Sequence, residues 1–110
     1  MNIINLTPHE INIYKGDENI LTIAPSGSVA RCSQVDNEDG FINFLGKDVP
    51  LFNTNYNEIE NLPPEKPNTF YVVSMIIANR SPKRKDLLIP VGIVRNEKGQ
   101  IIGCKGLSRI

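Results

Sequence analysis

The residues best equipped for chemistry in this 110-residue chain are cationic and aromatic. Arg80, Lys83, Arg84 and Lys85 fall within six residues, and Arg95, Lys105 and Arg109 follow on segments that should pack together. The chain is formally neutral, with 12 basic and 12 acidic residues, but the charge is unevenly placed. Residues 36–65 hold seven acids and one lysine, whereas residues 80–110 hold eight basic residues and two acids. A neutral protein has no global field to draw it onto a nucleic-acid polymer, which normally takes a basic excess. A local basic patch suits a small phosphorylated ligand better, because only a few phosphates need neutralising. Arginine is the better phosphate holder, since its planar fork binds two oxygens at once and stacks on a base. Arg31 and Arg95 both lie in strand-like segments, so rigid backbone would aim them. In Phe70-Tyr71 the pleat sends neighbours to opposite faces, so that one ring packs the core while the other can stack a purine. The competing reading is a solvated basic loop paired with the acidic middle or with another subunit.

Reaction chemistry has less support. His9 is the only histidine and sits in the turn Thr7-Pro8-His9-Glu10, where no third group orients it toward Cys32 or Cys104. One histidine and two distant cysteines do not form a zinc pattern, so no metal and no cofactor is expected. Ser26-Gly27-Ser28 lacks the lysine and following helix of a phosphate loop and reads as a turn. The acids are scattered without a pair that could flank a bond to be cleaved. The expectation is a binding protein rather than an enzyme.

The elements that must position these groups are mostly strands. Residues 3–6 and 11–14 alternate apolar and polar, as half-buried strands do. Residues 20–24 and 28–35 continue the pattern, separated by Gly16-Asp17 and Pro25-Ser26-Gly27. Asp36 to Gly40 reads as a turn, followed by strands at 41–45 and 49–52, the latter marked as an edge by Pro50. Residues 53–68, rich in Asn, Glu and Pro, read as a long connection, a place to look for a lid or an interface. Residues 70–78 are the most apolar segment and must be central, their β-branched and aromatic opening expected as a strand followed by one or two helical turns. Ser74 is placed to cap a short helix from Met75 to Arg80 with Ile76, Ile77 and Ala78 inward. Residues 87–89 form a short strand stopped by Pro90, and residues 93–95 and 100–103 flank a hairpin turn closed by Gly99.

The sum is one mainly β domain over residues 1–110, an antiparallel sandwich or partly open barrel with one or two short helices. Its 40% hydrophobic and 22% charged residues are ordinary for a globular chain and exclude wholesale disorder. The longest apolar runs fall far short of the roughly 20 residues that cross a bilayer. The start has neither the positive nor the apolar region of a signal peptide, so a cytoplasmic location with two unbridged cysteines is expected.

Three stretches carry a likeness: Ile4-Asn-Leu-Thr-Pro-His-Glu-Ile11, Ala24-Pro-Ser-Gly-Ser-Val-Ala-Arg31 and Val94-Arg-Asn-Glu-Lys-Gly-Gln-Ile-Ile-Gly103, with Tyr71-Val-Val-Ser74 between them. Together they are similar to a family of small bacterial and phage proteins that includes the phage Thoeris anti-defence sponges, which bind cyclic ADP-ribose isomers and withhold them from an effector. The likeness covers most of the chain outside residues 36–60. It implies a non-enzymatic homo-oligomer with ligand pockets at subunit interfaces, arginines on the phosphates and an aromatic ring on the adenine. Carried onto this sequence, the implied ligand-binding residues are Arg31, Phe70, Asn79 and Arg95. The alternative is a structural or protein-interaction module of a phage or bacterium with no nucleotide ligand.

Overall fold

The computed structural model describes residues 1–109 and is mainly β, with 54% strand and 5% helix. In chain order the elements are β1 (Asn2–Asn5), β2 (Ile11–Lys15), β3 (Glu18–Ile23), β4 (Gln34–Phe44), β5 (Lys47–Tyr56), β6 (Thr69–Val72), α1 (Met75–Asn79), β7 (Leu87–Arg95) and β8 (Ile101–Ser108). Six strands form one curled sheet, a half-barrel, in the order β1-β6-β7-β8-β2-β3, and β4 with β5 makes a separate two-stranded ribbon.

The mainly β expectation holds, but the sheet is mixed rather than antiparallel. β6 runs parallel to both neighbours, β1 and β7, and β2 meets β8 in parallel at Ile13 and Cys104. Parallel pairing needs a crossover of a dozen residues or more. The segment from Val73 to Asp86, containing α1, provides it between β6 and β7, and the long path from β1 provides the other. A strand between two parallel partners is covered on both faces, which is why residues 69–72 contain no exposed position. Tyr71 and Val73 enter one core with Leu6, Ala30, Ile77, Leu87 and Ile89, while Val72 enters a second with Ile11 and Cys104.

Several local expectations are corrected. Residues 36–40 are not a turn but the middle of β4, where Gly40 (φ 77°) accommodates a register shift between Glu38 and Phe41. The actual reversal is Leu45-Gly46, with φ of 52° and 78°, where a leucine occupies a place that favours Asn or Asp. Residues 28–33 make only an isolated bridge, Arg31 to Glu60. β7 runs through Pro90, because pairing with β6 ends at Leu88 and a proline nitrogen beyond it can face the open side. Among the described residues there is one helix, and of the three residues expected inward Ile77 and Ala78 are buried while Ile76 is 40% exposed. Ser74 occupies the N-cap position, but its hydroxyl makes no capping bond.

The connection after β5 is a fastened strap rather than a lid. Glu60 and Arg31 exchange backbone hydrogen bonds, Asn61 donates to the Val29 carbonyl, and Pro63 and Pro64 carbonyls accept from Arg84 and the Tyr71 hydroxyl. Ile59 and Leu62 pack on the first core.

The motif Asn5-Leu6-Thr7 is a folding device. Asn5 is 1% exposed, its amide nitrogen donates to the His9 and Ile23 carbonyls, and its Oδ1 accepts from the Thr7 backbone and hydroxyl. This one side chain ties β1, the following turn and the end of β3 together. Both cysteines are free, and among the described residues no helix is long and apolar enough to cross a membrane.

Candidate functional site

The strand register gathers one set of side chains at a single end of the sheet. The Tyr71–Leu87 pairing sets Phe70 beside Asp86, and the Ile89–Ser108 pairing sets Arg109 beside the start of β7. Two adjoining concavities form there. The first, about 250 Å³, is lined by Asn79, Ser81, Arg84, Lys85, Leu87 and Arg109 among others. The second, about 410 Å³, is lined by residues including Lys66, Thr69, Phe70, Lys85, Asp86 and Arg109. Lys85 and Arg109 belong to both. The Arg109 guanidinium carbon lies 5.6 Å from the centre of the Phe70 ring, a cation–π arrangement.

Within this region Arg84 has a structural task. Its Nε and Nη2 each donate to Asp86 at 2.8 Å, Nη2 also donates to the Pro63 carbonyl, and Glu65 lies 3.6 Å away. The hydrogen bonds from Arg84 hold the Asp86 carboxyl below the usual carboxylate range, against the opposing effect of burial. The same hydrogen bond raises Arg84 above its ordinary value, so both groups stay charged and neutralise one another. Arg80 is also engaged, its guanidinium 5.2 Å from the Tyr56 ring centre. Lys85 and Arg109 are exposed and form no ion pair among the described residues.

Of the four residues implied by the resemblance, the structure brings two together. Asn79, at the end of α1, lines the first concavity, and the half-buried ring of Phe70 lines the second while Tyr71 is fully buried. Arg31 and Arg95 join neither. Arg31 is exposed with its backbone paired to Glu60, and Arg95 donates from Nη1 to the Gly99 carbonyl at 2.8 Å within its own hairpin. The basic groups that do face Phe70 and Asn79 come from the charge cluster, Lys85, and from the residue after β8, Arg109. The uneven charge was the signal for both, but only the register could choose them.

His9 is exposed, and its carbonyl serves the Asn5 and Thr7 side chains. Cys104 is buried beside the Asn12 carbonyl and Cys32 faces that of Asn57, so no nucleophile pairs with the histidine among the described residues. Among those residues no group of three or more His, Cys, Asp or Glu could hold a metal ion.

A third hollow, about 740 Å³ and apolar, lies elsewhere, between the turn at residues 7–10, the start of α1 and the β7–β8 hairpin. No family model, no curated protein and no solved structure matches this chain.

Proposed function

We propose that the protein binds a small anionic nucleotide, a cyclic ADP-ribose isomer or a related cyclic nucleotide, and withholds it unchanged, acting as a sponge that inhibits Thoeris-type immunity. The observation that carries this reading is the stacked Arg109–Phe70 pair between two concavities that also contain Lys85 and Asn79. A base would lie on the exposed face of Phe70, and a pyrophosphate would take the Arg109 fork and the Lys85 ammonium. Asn79 and Ser81 offer polar groups for ribose hydroxyls. Binding without turnover, and the immune role, rest on the resemblance in the sequence. That resemblance sets the pocket between subunits, in which case Arg31 and Arg95 would reach the ligand from a second copy.

A thermal-shift series with cyclic ADP-ribose isomers, cyclic nucleotides and ADP-ribose tests the reading. A raised melting temperature with one of them, and release of intact ligand on heating, is the expected result. Recovery of cleaved product alone would replace the sponge with an enzyme. No shift with any nucleotide would favour the second reading, an interaction module, for which the projecting β4–β5 ribbon is the specific observation.

A further inference from the structure

The β4–β5 ribbon is the least self-sufficient part of the fold. All 21 residues of the two strands are exposed, and neither strand pairs with the six-stranded sheet. An isolated two-stranded ribbon is marginal in water even with a favourable turn. Its outer half is also apolar on both faces. The register puts Phe41, Pro50 and Phe52 on one face and Ile42, Phe44, Val49 and Leu51 on the other. Phe41 is 63% exposed, Phe44 64% and Leu45, at the tip, 84%. The ribbon accounts for the stretched shape: the radius of gyration is 17.9 Å, against about 13 Å for a compact chain of this length.

The same chain carries an unfilled counterpart. The 740 Å³ hollow is walled by Ile11, Val73, Met75, Ile93 and Ile101, of which Met75 is 59% exposed and the last two 61% each. The seated half itself is neutral, with Lys47 beside Asp48, but the inner half of the ribbon and the surroundings of the hollow carry opposite charge. Residues 34–56 carry Asp36, Glu38, Asp39 and Asp48 against Lys47, while the β7–β8 hairpin beside the hollow carries Arg95, Lys98 and Lys105 against Glu97. None of the ribbon's residues lines the hollow of its own chain, and the ribbon is anchored at its base by the Asn57 N–H to the Ser33 carbonyl and the Asn57 amide to the Ser33 hydroxyl.

We propose that the outer half of the β4–β5 ribbon seats in the apolar hollow of a second copy of this chain, so that the ribbon is an assembly arm. Reciprocal insertion gives each copy one arm and one filled hollow, the self-complementary arrangement of two-fold dimers. It removes from water the aromatic side chains that a single chain leaves exposed. It also explains Leu45, which is unfavourable as a turn residue at positive φ but suitable as an anchor at the far end of the arm. The proposal goes beyond the nucleotide reading and does not depend on it.

Sedimentation or light-scattering mass of the full chain tests the arm directly. At micromolar concentration the expected mass is a multiple of the 12.3 kDa chain, falling to the single-chain value in Phe44→Asp and, separately, in Ile93→Asp. Both sites are exposed in the single chain, so circular dichroism should show the fold retained. Leu45→Asn creates an Asn-Gly turn, which would strengthen the ribbon as a local structure. The proposal expects that variant to loosen the assembly nonetheless. Mixing Leu45→Cys chains with Ile101→Cys chains under oxidising conditions should give a cross-linked pair containing one of each. A wild-type chain that stays at 12.3 kDa, an assembly that survives both Asp variants, or cross-links only between two Leu45→Cys chains would overturn the proposal.

Discussion

Arg109 stacks on Phe70 although 38 residues separate them, because β8 returns antiparallel to β7 and β7 lies parallel beside β6. A guanidinium on a ring is attached at one face only. Phe70 lines one of the two adjoining concavities and Arg109 lines both, so one ligand could meet ring and fork together.

On the proposed function, loss of either member should therefore weaken binding of the nucleotide. Base stacking on an aromatic side chain contributes about 1–3 kcal/mol, so Phe70→Ala should raise Kd by about 5- to 150-fold. Arg109→Ala removes a charge-assisted contact and should cost about tenfold or more. Arg95→Ala leaves a site within one chain intact, since that guanidinium is held by the Gly99 carbonyl. Titration calorimetry on the three variants checks this, and a loss at Arg95 equal to that at Arg109 would place the pocket between subunits.

The Arg84–Asp86 pair predicts a pH dependence with a definite sign. Asp86 is 8% exposed, and its folded carboxyl lies below the ordinary range, so the folded state binds its proton less readily than the unfolded chain. The stabilisation is present above the unfolded value of about 3.9 and is lost as the pH falls through the lower folded value. Asp86→Asn should cost about 1–3 kcal/mol at neutral pH by leaving Arg84 half-paired. Its melting temperature should then decline less steeply than the wild type below about pH 4, so that the two curves converge. Parallel curves across that range would mean the pair contributes nothing.

Much of the architecture could be read from residue types. Alternation located β1, β2 and β3, and the apolar run at 70–78 located β6 and α1. Parallel pairing could not be read, since it depends on which distant segments the crossovers bring together. The ribbon was misread at Gly40, because a glycine with positive φ serves a bulge as readily as a turn. It was misread again at Leu45, a residue type that marks no turn. Of the candidate site, Phe70 and Asn79 line adjoining concavities as the sequence suggested, while Arg109 rather than Arg95 lies beside them, a placement set by register alone.

Asn5 offers a sharper check on the fold than any core aliphatic. Replacing it with Ala removes the acceptor of the part-buried Thr7 N–H and the amide donor to the Ile23 carbonyl, while the Thr7 hydroxyl and the His9 carbonyl keep their bond to each other. At least one such orphan will remain dry, at about 1–3 kcal/mol each. A total of about 2 kcal/mol lowers the melting temperature of a domain this size by about 8–16 °C. Differential scanning calorimetry of Asn5→Ala measures it, and a change under a few degrees would show that water replaces the side chain.

Two glycines on β8 should respond to alanine with opposite signs. A Cβ on Gly103 would collide with the Asn12 carbonyl oxygen and come within 2.7 Å of the Tyr14 ring, where β8 and β2 cross at close range. The backbone oxygen cannot swing aside as a side chain can, so the cost should reach the upper part of the usual overpacking range, about 3 kcal/mol. A Cβ on Gly106 meets nothing within 4 Å, and no positive φ stands in its way. Gly106→Ala should accordingly be neutral or stabilise by about 0.5 kcal/mol, through the reduced freedom of the unfolded chain. Urea midpoints for the two variants decide the matter, and equal losses would mean that β8 does not approach β2 at Gly103 as closely as the pairing of Ile13 with Cys104 places it.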